Sequence, residues 1–258
     1  MSIMAGSPWY LYLAVVAAGF LSGFINTLAG SGSLVTLPLL IFLGLPATIA
    51  NGTNRVAILL QNVVGVASFD RQGILDRRGA LILGAPMIAG ALIGANIAVN
   101  LDEALMRRTI GVLMLFMLIV IIVQPKRWLH GERQRLEKWP TWWQLILFFL
   151  IGIYGGFIQA GVGIFLLAGL VLGASYDLVR ANAVKVAVVL IYTVFALGVF
   201  IINHQVNWGI GLVLALGSML GAWTAARVAV DKGAVWVRRL LIAVVVVSAT
   251  NLLGLWSF

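Results

Sequence analysis

The chain has 258 residues, 62% hydrophobic and 10% charged, with a mean hydropathy of +1.08; soluble domains are about a quarter charged, so composition excludes one and points to a polytopic membrane protein. The net charge of +9 does not indicate a nucleic-acid partner, because the basic residues fall in short loops between apolar runs, where they act as topology signals. The absence of cysteine excludes disulfides and thiolate metal sites.

The first apolar run covers 9 to 28. It lacks a basic stretch before it and an obvious small-residue cleavage site, so it reads as a retained membrane segment. A Gly/Ser break and a short run at 33 to 44 follow, then long runs at 48 to 69, 79 to 99 and 105 to 123. Residues 124 to 140 are the one polar linker. Beyond it lie runs at 141 to 160, a second Gly break, 164 to 173, 179 to 202, 208 to 227 and 238 to 256. These runs are continuously apolar over helical lengths, unlike the short alternating segments of an outer-membrane barrel. The runs at 33 to 44 and 164 to 173 fall short of the ~20 residues that span a bilayer. Each is read as part of a re-entrant hairpin or of a helix broken at depth, where irregular backbone survives only if buried in protein or lining a wet cavity.

The two halves are weak copies of one another. At an offset of 131, Gly30 and Gly32 match Gly161 and Gly163, Ala50-Asn51 match Ala181-Asn182, and Phe69 matches Phe200. Gly90-Ala91 match Gly221-Ala222, and Arg107-Arg108 match Arg238-Arg239. At 133, Gly19 to Asn26 pair with Gly152 to Gln159. An apolar duplication broken at the same place in each half is the pattern of a secondary transporter. The reading is an all-α membrane protein of two inverted repeats, 1–123 and 141–258 around a cytoplasmic linker at 124–140, each with a broken hairpin and three full transmembrane helices. Inversion with the linker inside puts 13 loop cations inside and only Arg107 and Arg108 outside, against 8 and 7 for parallel repeats. Both termini are then periplasmic.

Two cations remain within apolar runs, Arg55 and Lys185, within one residue of equivalent repeat positions. Burying each costs at least ~2.5 kcal/mol, so contact with a substrate anion or lining of a cavity is expected of at least one. Snorkelling or a structural pairing is the rival reading. The breaks, Asn26-Thr27-Leu28-Ala29-Gly30-Ser31-Gly32-Ser33 and Gln159-Ala160-Gly161-Val162-Gly163, each lead into a helix whose first N–H groups are unpaired. Two such ends meeting at the midplane would hold an anion, with Ser31 and Ser33 adding hydroxyls and Ser33 suited to an N-cap. Gly161 and Gly163 would allow the same close backbone approach. The glycine pairs at 19/23, 90/94, 152/156 and 217/221 have the spacing of helix crossings. Asn51, Thr53, Asn54, Gln61 and Asn62 form a polar face on one helix, and Asn182, Lys185, Tyr192 and Thr193 its counterpart; cavity lining and interhelical hydrogen bonding are both open to them.

There is no G-x-x-x-x-G-K-[ST] for ATP. His130 and His204 fall in loops, which argues against a metalloprotease or haem protein, and no paired intramembrane carboxylates are present. No cofactor or metal is expected, and no enzyme activity. The partners expected are a small anion and membrane lipid but no nucleic acid; a homodimer is left open.

The stretch from Ala18 through Ser33 to Pro38, followed by Leu45-Pro46-Ala47-Thr48-Ile49-Ala50-Asn51-Gly52-Thr53-Asn54, closely resembles the sulfite-exporter (TauE/SafE) family. A degenerate copy runs from Gly156 to Gly163 and through Ala181-Asn182. The resemblance implies an inner-membrane transporter of small sulfur-containing anions such as sulfite, sulfoacetate or other sulfonates. By motif position it implies Asn26, Gly30, Ser31, Gly32, Ser33, Thr53 and Asn54, with Gly161 and Gly163, as site residues; Ser31 and Ser33 interrupt what is more often a run of glycines. Residues alone add Asn51, Arg55, Gln159, Asn182 and Lys185. A secondary transporter or facilitator working outward is the first reading, and a non-transporting membrane scaffold or assembly factor the second.

Overall fold

The structure, a computed structural model, describes residues 9–123 and 140–228 together with Val246. Helix is the regular secondary structure among them. The first half gives α1 (Trp9–Ala29), α2 (Ser33–Phe42), α3 (Ala47–Arg71), α4 (Arg77–Val99) and α5 (Glu103–Val123). The second gives α6 (Trp142–Phe157), α7 (Val162–Ala168), which runs on as a π-helical turn at Gly169–Gly173, then α8 (Leu178–Ile202) and α9 (Trp208–Val228). Five helices, α1, α4, α5, α8 and α9, are long and apolar enough to cross a membrane. The last apolar run, 238–256, and nearly all of the 124–140 linker lie outside the described residues.

Both breaks fall within a few residues of where the sequence places them. In the first, Asn26 to Ala29 belong to α1 and Ser33 to α2, so the non-helical stretch is Gly30 to Gly32. In the second, Val162 and Gly163 form the first turn of α7, so the non-helical stretch is Ile158 to Gly161 rather than Gln159 to Gly163. The cause is local. Ile158 is extended, at φ −142° and ψ 129°, which ends α6, and Gly161, at φ +77°, turns the chain into the next helix. In the first half Gly30 makes the equivalent turn at φ +75°. These are left-handed conformations that L side chains adopt only at a cost.

The paired glycines pack two helix crossings of the same kind. A Cβ on Gly19 or Gly23 would overlap the α9 backbone at Leu214 or Ser218, and one on Gly217 or Gly221 the α1 backbone at Val16 or Phe20. Gly90 and Gly94 of α4 meet α6 at Phe149 and Ile153, while Gly152 and Gly156 of α6 meet Met87 and Ala91. Small residues let backbones touch where lipid offers no hydrophobic drive for association.

These contacts also fix the sense of each helix. Residue numbers rise together in α1 and α9 and in α4 and α6. They rise together in α3 and α9, where Gly211 meets Thr53 and Gln72 bonds Ala226, and in α4 and α8, where Asp76 meets Tyr176 and Val99 meets Gln205. In α3 and α8 they run oppositely, since Gly52 packs on Phe200 and Gly65 on Val186. The result is two three-helix groups, α1–α9–α3 and α6–α4–α8, joined along α3 and α8. Each group mixes helices from both halves of the sequence. Arg71, Arg77, Arg78, Arg180 and Arg227 gather at one end of the molecule, where Gln72 reaches Ala226 and Tyr176 reaches Asp76. The opposite end carries Glu103, whose carboxylate accepts from the Ala47 N–H at 2.7 Å to each oxygen.

Candidate functional site

The two breaks meet. The Gly163 N–H donates to the Gly30 carbonyl at 3.0 Å, and the backbones are so close that a Cβ on either glycine would overlap the other residue. Gly30, Ser31, Gly32, Ser33, Gln159, Gly161 and Gly163 are all buried.

Around this contact each buried cation closes the C-terminal end of the broken helix in the other half. Arg55 of α3 donates from Nη1 to the Gly155 carbonyl at 3.1 Å and to Gln159 Oε1 at 3.4 Å, and from Nη2 to the Gly156 carbonyl at 2.5 Å. Its guanidinium lies over the Phe200 ring, 4.8 Å from the centroid. Asn51 Nδ2 takes the Phe157 carbonyl at 2.8 Å, and the Ile158 N–H takes Tyr154 at 2.8 Å. All four terminal carbonyls of α6, normally orphaned, therefore have donors. Lys185 of α8 donates to the Asn26 carbonyl at 2.9 Å, the Thr27 carbonyl at 3.0 Å and Asn182 Oδ1 at 2.8 Å, closing the end of α1. Cations suit these positions because helix C-termini carry partial negative charge. Among the described residues no carboxylate is buried with them.

The surroundings of the first break hold donors that the fold leaves without acceptors. Ser31 Oγ, Ser33 Oγ and Asn54 Nδ2 are buried with no hydrogen-bond partner, and so is Arg55 Nε at the end of α6; Asn51 Oδ1, Gln61 Nε2 and Gln205 Oε1 are further buried polar atoms without one. Ser33 does not act as an N-cap: Gly32 holds that position, with no side-chain cap, and Ser33 opens the helix. Ser33 and Thr36 share one face of α2, and Thr36 Oγ1 bonds Asn54 Oδ1 at 2.7 Å, which turns the Asn54 amide toward that face. Buried polar groups are rarely left unpaired, so a concentration of orphan donors calls for an acceptor. The second break differs. Val162 and Ile164 stand at the positions of Ser31 and Ser33, and the Gly163 N–H is already engaged by Gly30.

Not every candidate joins this cluster. Thr53 Oγ1 accepts from the Asn207 N–H at 2.9 Å and fastens the α8–α9 turn to α3. Asn182 orients Lys185, and Gln159 Nε2 donates to the Tyr192 hydroxyl at 2.7 Å. Asn26 contributes its carbonyl to Lys185. Sequence reasoning missed Thr36, although the spacing Ser33-x-x-Thr36 places two hydroxyls on one helix face. It also missed Met117, whose thioether covers Gly161.

The model of the family described as sulfite exporter TauE/SafE matches residues 15–252. The chain belongs to that family. It is 29% identical over 251 residues to a probable membrane transporter protein, ORF9, of Sinorhizobium sp, covering 97% of this chain and 95% of the relative. It is 25% identical to a probable membrane transporter protein of Haemophilus influenzae, over 90% of each chain. A similar likeness, 25% over 98% of this chain and 93% of the relative, links it to the probable membrane transporter protein YfcA of Escherichia coli K12. No solved structure matches it significantly. The TauE/SafE chain is a multi-pass membrane transporter.

Proposed function

We propose that this transporter carries a small sulfur oxyanion, such as sulfite, sulfoacetate or a related organosulfonate, outward across the inner membrane through an anion site at the meeting of the two breaks. The observation that carries this reading is the set of buried donors without acceptors, Ser31 Oγ, Ser33 Oγ, Asn54 Nδ2 and Arg55 Nε, with two buried cations and no buried carboxylate among the described residues. The ligands are the Gly30–Ser33 break, Asn54 and Arg55. Gln159, Gly161, Gly163, Asn51 and Thr53 form the frame, with Asn26, Asn182 and Lys185 closing the far side. An inside-negative potential favours exit of a monoanion by ~2.3 kcal/mol per 100 mV, so export needs no coupling ion.

The site has a simple signature. A buried hydroxyl with no partner in the empty protein stabilises nothing there, so Ser31→Ala and Ser33→Ala should leave the thermal midpoint unchanged or raised. Each should weaken sulfite binding by roughly 5- to 10-fold, the worth of about one hydrogen bond. Calorimetry and flux in proteoliposomes measure this; parental affinity in both variants would remove the site from the first break.

The inverted-repeat arrangement belongs to the same proposal, with repeats at 1–123 and 141–258, the 124–140 linker cytoplasmic and both termini periplasmic. It is supported by the opposite senses of α1 and α6, of α3 and α8, and of α4 and α9, and by the arginines gathered at one end of the molecule. Reporter fusions after Phe258 and within the linker should report opposite sides of the membrane. Both on one side would overturn it.

A further inference from the structure

Arg55 and Lys185 lie within one residue of equivalent repeat positions, yet they hold their helix ends differently. Arg55 grips two successive carbonyls with a rigid fork, stacks on Phe200 and keeps Nε unpaired. Lys185 is a point charge on a flexible stem, and its three donors all serve acceptors, two of them the Asn26 and Thr27 carbonyls in the last turn of α1, ahead of the first break. A fork in fixed geometry makes a lasting strut; an ammonium group moves readily from one oxygen to another. Lys185 also crosses the boundary between the two helix groups. It belongs to α8, in the α6–α4–α8 group, and closes α1, in the α1–α9–α3 group.

Resting on the anion site proposed above, we infer that Lys185 is a releasable brace: it ties the two helix groups together in the empty carrier, and an anion arriving at Ser31 and Ser33 draws the ammonium off the Asn26 and Thr27 carbonyls and frees the groups to move. The carbonyls carry only the partial negative charge of a helix end, whereas an oxyanion at the break that follows that end carries a full one. The exchange is of like for like, oxygen for oxygen, so the barrier stays low. The empty carrier stays locked, which prevents uncoupled rearrangement. A ligand can shift such an equilibrium only by binding one state better, and the ammonium freed to meet it supplies that difference. The groups are also joined at this level by Arg55 and Asn51, which reach from α3 to the end of α6, and by the Gly163 N–H to Gly30 bond; these are the fixed side about which the groups turn once Lys185 lets go.

The chain has no cysteine, so pairs of spin labels can be introduced cleanly. Tyr10 with Asn100 reports the two groups at one end of the molecule, and Arg71 with Trp143 at the other; all four side chains are exposed. In the parent, each pair should give one narrow distance distribution without anion and a second population on adding sulfite. Lys185→Met should show that second population without any anion, rising from about a tenth or less of the molecules to at least half. Lys185→Gln keeps donors for the helix end but has no charge for an anion to attract. It should fold, hold the single distance, and fail to respond to sulfite. Lys185→Arg should restore the parent's single resting distance.

The proposal is overturned if Lys185→Met without anion matches the parent, or if Lys185→Gln responds to sulfite as the parent does. The second comparison stands even where the methionine variant does not fold. Calorimetry on the parent separates the two layers of argument. Sulfite that binds without moving either pair refutes the brace and leaves the anion site standing, whereas no sulfite binding refutes the site and leaves the brace to the anion-free comparison.

Discussion

Gly30→Ala should cost this transporter most of its folded yield and abolish sulfite flux in what remains. Three effects act together. Gly30 sits at φ +75°, where an L side chain costs ~1–2 kcal/mol. The added Cβ would lie inside the Gly163 backbone, which cannot give way as a flexible side chain can. Separating the two segments to make room removes the Gly163 N–H to Gly30 bond and leaves a buried donor unpaired, a further ~1–3 kcal/mol. Together these approach the 5–15 kcal/mol that typically separates folded from unfolded states. Two other glycines calibrate the effect. Gly44 has φ +90° with nothing near its Cβ position, so Gly44→Ala should show only the conformational cost and transport normally. At Gly161, φ +77°, the obstacle is the end of Met117, which can swing aside, so Gly161→Ala should fall between. Thermal midpoints in detergent and flux in proteoliposomes should rank Gly30 worst, then Gly161, then Gly44. If Gly30→Ala behaves like Gly44→Ala, the meeting of the breaks is not the structural centre of the carrier.

Most of the helical layout was legible because apolar run length and glycine breaks are properties of the chain itself. The runs at 79 to 99 and 208 to 227 match α4 and α9 to within two residues at each end. The four-residue glycine spacing marked helix faces made for crossing for the same reason, since the period of a helix is fixed, but not that α1 would meet α9 and α4 would meet α6. The start of α7 was misplaced because nothing in Gly161-Val162-Gly163 says which glycine turns the chain. That choice depends on Gly163 having to touch Gly30, a contact 133 residues away. The charged residues show the same limit. Sequence could say that Arg55 and Lys185 are buried without carboxylates. It could not say that helix-end carbonyls stand in for them, because those carbonyls belong to the other half of the chain. The Ser33–Thr36–Asn54 grouping has an equally mixed origin: the first step is a helix period, the second a tertiary contact.

Arg55→Ala is expected to be the most damaging single change to anion binding. In the empty protein its loss would strip the Gly155 and Gly156 carbonyls of their donors at the end of α6, at ~1–3 kcal/mol for each buried acceptor. It would also remove half of the positive charge buried among the described residues. A charge-assisted contact to the oxyanion through Nε adds ~1.5–3 kcal/mol, or roughly 10- to 150-fold in affinity. Arg55→Lys should recover only part of this, because one ammonium cannot span both carbonyls and still present a donor to the site. Lys185→Ala should also reduce transport, yet with a smaller fall in equilibrium affinity, since all three of its donors already have acceptors before any anion arrives. Calorimetric binding of sulfite to each folded variant, paired with flux in proteoliposomes, measures both quantities. A larger affinity loss from Lys185→Ala than from Arg55→Ala would reverse the assignment of the direct ligand. Parental binding and transport in both would mean that the two cations only close helix ends, and that the anion site lies elsewhere.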